Sequence, residues 1–86
     1  MNEQRFMEVF SRRLRQGLKY RRVNNRAMTQ HQLAEETGIH YSQISRYARA
    51  RRMPSACHAA QIAGSLGVDI GWLLGLSRAQ DEPDRQ

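Results

Sequence analysis

Side chains able to do bond-making chemistry are scarce in this chain: His31, His40, His58 and one cysteine, Cys57. Cys57 and His58 are adjacent, but a structural or catalytic metal needs a second local ligand pair at its own spacing, and the sequence supplies none. Nothing sets a nucleophile beside a base or offers an acid–base pair. The chain is therefore expected to be neither an enzyme nor a protein that holds a metal or cofactor. What it has in abundance is arginine, 13 residues against the single Lys19. A guanidinium can fork onto phosphate or onto a guanine edge, which an ammonium does less well. The net charge of +6 and pI of about 10.7 point to a polyanion as partner. A GC-rich coding bias would also raise arginine over lysine, but it does not explain the net charge.

At 86 residues the chain is expected to form one small domain, burying about 60–65% of its unfolded surface. A lone cysteine gives no disulfide framework and suits an intracellular protein. No apolar run approaches the roughly 18–20 residues of a membrane span, and the polar start "MNEQRFMEVF" is unlike a secretory signal. A soluble, cytoplasmic protein is the expectation.

The elements that must carry the arginines are helical. Phe6, Phe10, Leu14 and Leu18 recur every fourth residue behind Asn2, a helix cap, and predict a first helix over residues 3–22. Gly17 reads as a place of close packing. Residues 23–27, with adjacent asparagines, read as a loop. Thr29 with Gln32 three residues later makes a capping box, with Met28 and Leu33 placed for a hydrophobic staple, and Gly38 ends this second helix. A third helix is expected over residues 39–50, with Ile39, Ile44 and Tyr47 inward. Pro54 and Ser55 then start a fourth, over residues 56–65, which Gly67 stops. Asp69 caps a short fifth helix, "IGWLLG", with Val68 and Leu73 placed for a second staple. Residues 1–76 are thus read as the domain and the polar residues 77–86 as a disordered tail.

Two short helices joined by a tight turn at Gly38 form a helix-turn-helix, in which the second helix is presented to the major groove of DNA. The stretch "TQHQLAEETGIHYSQISRY" resembles the core of the phage repressor and Cro family, also called the XRE family. "SLGVDIGWLLG" is similar to that family's fifth-helix ending. The resemblance implies an all-α, five-helix, lambda-repressor-like fold. It also implies a regulator that binds double-stranded DNA by sequence, as a homodimeric repressor on a palindromic operator. By the same resemblance Tyr41, Ser42, Ser45 and Arg46 match positions that face base edges, with Arg46 the leading specificity residue. Gln30 matches a residue that contacts a backbone phosphate, and Arg49, Arg51 and Arg52 follow the recognition helix as phosphate contacts. Trp72, Leu73 and Leu76 match residues that are usually core in that family, and whatever part of them is exposed is the candidate dimer interface.

The chain departs from the family pattern after its aromatic Tyr47. Where the family has E-x-G, this sequence has Ala48, Arg49 and Ala50. The customary salt bridge to helix one is thereby lost, which would leave Arg21 or Arg22 open to meet DNA. Ala50 lacks glycine's access to positive φ, so the turn is expected to differ or the helix to lengthen. His40 stands where Ser or Thr normally caps. The competing class is a protein-interaction module, such as an antitoxin whose main surface binds another protein.

Overall fold

The computed structural model describes residues 2–76; the stretch 77–86 read above as a tail lies outside the described residues. Along the chain come α1 (Glu3–Tyr20), β1 (Arg22–Val23), β2 (Arg26–Ala27), α2 (Gln30–Thr37), α3 (Tyr41–Ala48), α4 (Ala56–Leu66) and α5 (Ile70–Leu73). The five helices stand as expected, and a two-stranded antiparallel hairpin is added to them. None of the helices is long and apolar enough to cross a membrane.

The helix starts follow their caps. Asn2 Oδ1 accepts the Arg5 N–H at 2.8 Å, Ser55 Oγ that of His58 at 3.0 Å, and Asp69 Oδ2 that of Trp72 at 2.9 Å. The box at α2 is complete in both directions: Gln32 N–H donates to Thr29 Oγ1 at 3.1 Å, and Thr29 N–H to Gln32 Oε1 at 2.9 Å. Met28 and Leu33 both enter the core, as the staple requires. Gly38 ends α2 in the left-handed region at φ 75°, and only Ile39 and His40 follow it before α3.

Two boundaries differ from the sequence reading. First, α1 stops at Tyr20, because Arg22 and Val23 pair with Ala27 and Arg26 instead of continuing the helix. Asn24 (φ 53°) and Asn25 (φ 65°) form the two-residue turn, both in the left-handed conformation that a type I′ hairpin demands and asparagine tolerates. Met28 N–H then bonds back to the carbonyls of Leu18 and Arg21, sealing the hairpin onto α1. Second, α3 spans eight residues, not the twelve of the expected 39–50 helix. Ile39 belongs to the turn and Arg49 is the C-cap. Ala50 adopts φ 56°, so the glycine-type turn survives without its glycine.

The core runs through every helix: Phe10, Leu14 and Leu18 from α1, Leu33 from α2, Ile44 and Tyr47 from α3, Ile62 and Leu66 from α4, and Trp72 and Leu73 from α5. A Cβ on Gly17 would sit 2.8 Å from Leu66 Cδ1, so this glycine is where the Leu66 side chain of α4 packs closely on α1. Trp72 and Leu73 are fully enclosed by their own chain. Of the two places open to them, core or dimer interface, they take the core and offer no surface to a second chain. Leu76, 72% exposed, is the one of that trio at the surface.

Candidate nucleic-acid interface

The third helix divides cleanly into two faces. Ile44, Tyr47 and Ala48 are buried, whereas Tyr41, Ser42 and Arg46 are exposed and Ser45 is half-exposed. Positions i, i+1, i+4 and i+5 share one side of a helix, so the four candidate base-reading residues form a single row. Arg46 makes no side-chain hydrogen bond or ion pair with the described residues. Arg49 extends the row by one further turn, and Arg51 and Arg52 follow it beyond the helix end, all three exposed. Gln30 stands apart, half-exposed at the first position of α2. The start of α2 nevertheless meets the start of α3: the His31 ring lies parallel to that of Tyr41, centroids 3.8 Å apart and planes within 4°. The structure thus gathers the N-termini of both helices and the exposed row into one surface.

Several contacts hold α3 from behind. Ser11 Oγ in α1 donates to the Ala48 carbonyl at 2.6 Å, at the helix's last turn. Phe10 meets Tyr47 edge to face, with centroids 5.7 Å apart, and the Tyr47 hydroxyl is 2.7 Å from His58 Nδ1 in α4. Burial raises the Tyr47 phenol above its usual range, and the positive charge of Arg52 pulls it partly back. At the other end His40 Nδ1 accepts the Ser42 N–H at 3.1 Å, so an imidazole does the work expected of a Ser or Thr cap. Ser42 Oγ lies 2.9 Å from the same nitrogen, which ties this candidate reader to the cap.

Arg21 is not open to DNA, contrary to the sequence reading. It pairs with Glu36 at 3.1 Å and donates to the Ser65 carbonyl, while Ser65 Oγ donates to Glu36 Oε1 at 2.6 Å. This network joins α1, α2 and α4 and stands in for the absent helix-one salt bridge. Arg22 remains exposed and donates to the Asn25 carbonyl at 2.7 Å within the hairpin. Arg13, by contrast, is buried: it donates to the Trp72 carbonyl and lies with its guanidinium 5.3 Å from the Trp72 ring centroid. Burial first, and the charge of Arg12 second, lower its pKa from the usual arginine value. The sequence offered no means to tell the buried Arg13 or the paired Arg21 from the exposed arginines, since all lie on or beside helices rich in the same residue.

A helix-turn-helix family model matches residues 18–73, which is well over half of the chain. No curated protein and no solved structure matches it. The matched segment contains the capping box, the Gly38 turn, the exposed row of α3 and the α4–α5 ending. This chain belongs to the helix-turn-helix family of phage repressor and Cro (XRE) type, a family of DNA-binding domains.

Proposed function

We propose that the chain is a transcriptional repressor that reads duplex DNA by sequence, bound as a two-fold dimer to a palindromic operator. One observation carries this reading: α3 turns Tyr41, Ser42, Ser45 and Arg46 outward in a row while its opposite side is locked into the core. Arg46 is assigned bidentate contact with guanine O6 and N7, worth about 1–3 kcal/mol of discrimination. Tyr41, Ser42 and Ser45 complete the base-facing set. Gln30 is assigned a phosphate at the start of α2, where unpaired N–H groups and the helix dipole favour an anion. Arg49, Arg51 and Arg52 are assigned further phosphates, contacts that orient the domain without reading sequence. In such a dimer the two recognition helices enter successive major grooves, roughly 34 Å apart. Leu76 and the exposed Ile70 of α5 are the apolar residues available to a second copy at that end of the molecule. The protein is proposed to act in the cytoplasm, where its DNA is.

The deciding experiment is selection of random duplex DNA by the purified protein at physiological salt. A two-fold symmetric enriched motif is the expected result. A folded protein that enriches nothing would overturn the reading and favour a protein partner; a bound complex insensitive to salt would point the same way, because phosphate contacts must weaken steeply as salt rises.

A further inference from the structure

The parallel rings of His31 and Tyr41 come from different helices, and both are exposed. Folding does not account for them. The cap of α2 is completed by Thr29 and Gln32, and that of α3 by His40. The helices themselves are joined through the buried Leu33, Ile39 and Ile44. An exposed tyrosine at the first turn of a helix ordinarily exchanges among staggered rotamers. A ring lying flat on it at 3.8 Å blocks some of those positions and favours one. Tyr41 is also the leading residue of the exposed row of α3, so the orientation being selected is that of a candidate base-facing group.

We propose that His31 is a positioning residue for sequence reading: stacked on Tyr41, it holds the tyrosine ring so that its outer edge packs against a thymine methyl group in the major groove. This rests on the DNA-reading function proposed above. The choice of thymine follows from chemistry. One face of the Tyr41 ring is covered by His31, which leaves its opposite face and the ring carbons beside the hydroxyl for an apolar contact, and the C5-methyl of thymine is the apolar group displayed in the major groove. His31 acts only through Tyr41, so its loss alters preference at the base pair that Tyr41 serves and at no other.

The test uses the full chain. Random-duplex selection is run in parallel for wild type, His31→Ala, Tyr41→Ala, the double variant and His31→Phe, which restores a flat ring; circular dichroism verifies folding of each. His31→Ala and Tyr41→Ala are expected to relax the same single position per half-site, the double variant to relax it no further, and His31→Phe to restore it. Replacing thymine by uracil at that position removes only the methyl group. It should weaken wild-type binding about four-fold, the loss equivalent to one buried methylene, and leave His31→Ala binding unchanged. If His31→Ala keeps the wild-type motif and the uracil penalty, or weakens all sequences alike, the inference is overturned while the DNA-reading function stands. If the wild type enriches no motif, both are overturned.

Discussion

The turn after α3 offers a clean test of backbone strain. Three helices end in the same double hydrogen-bond pattern, in which one N–H reaches the carbonyl five residues back and its predecessor closes an inner loop. At α4 the bonds are Val68 N–H to the Ala63 carbonyl and Gly67 N–H to Gly64; at α5 they are Leu76 to Gly71 and Gly75 to Trp72. At α3 they are Arg51 to Arg46, at 2.9 Å, and Ala50 to Tyr47, at 3.2 Å. The pivot is left-handed each time, with φ 71° at Gly67, 76° at Gly75 and 56° at Ala50. Only at α3 does the pivot carry a Cβ, which in this region costs about 1–2 kcal/mol. Ala50→Gly removes that strain but gives the unfolded chain more freedom, returning about 0.4–1 kcal/mol. The net expectation is a stabilisation of about 0.5–1 kcal/mol, or roughly 3–6 °C in Tm for a domain of this size. Thermal unfolding followed by circular dichroism reads it directly. Ala60→Gly is the matched control: Ala60 is exposed inside α4, where the same change should destabilise by about 1 kcal/mol. If Ala50→Gly lowers Tm as Ala60→Gly does, the strain assigned to the α3 turn is refuted.

Other perturbations separate the roles of individual side chains. Arg46→Ala should relax base preference at one position per half-site, and an unchanged motif in a binding selection would assign the reading to another residue. Arg51→Ala should weaken all sequences about equally and lower the salt slope by about one unit, so a changed consensus would contradict its phosphate role. Thr29→Ala removes an acceptor from the start of α2 and should cost about 1 kcal/mol in urea denaturation. Because folding raises the Tyr47 pKa, its neutral form is the one the native state favours. The stabilisation linked to that shift is complete below about pH 10, the unfolded value, and is lost as pH rises through the higher folded value. The stability of wild type relative to Tyr47→Phe should therefore fall above about pH 10, and a difference independent of pH would show that Tyr47 does not ionise at such cost.

What the sequence disclosed was local, and the reason is physical. A cap is settled within three or four residues, so Asn2, Thr29, Ser55 and Asp69 were readable and each bonds as expected. The same holds for the stops at Gly38 and Gly67, and periodicity sufficed for the inward residues of α1 and α4. The failures involve groups that meet across the fold. Arg21 could not be matched with Glu36, fifteen residues away, nor with the Ser65 carbonyl further on. The hairpin was missed across the end of the expected first helix and the loop after it because its strands are two residues each, too short to show alternation. Ala50 was misjudged because composition suggests what a residue prefers, whereas the hydrogen bonds of Ala50 and Arg51 impose what it must adopt. His31 reads as an ordinary helix residue until the turn brings Tyr41 beneath it.

These contacts together explain how so small a domain can present a rigid surface. The last turn of α3 is gripped from α1 through Ser11 and Phe10, its buried tyrosine is tied to α4 through His58, and its first turn is fixed by His40. The buried Ser11–Ala48 bond is strengthened because solvent does not compete for it, whereas the exposed Arg21–Glu36 pair contributes about 1 kcal/mol or less. The backbone of α3 is therefore set by residues on its inner side. Its outward residues contribute little to folding and are open to substitution at small cost in stability. A helix held in this way can change what it recognises without changing how it folds.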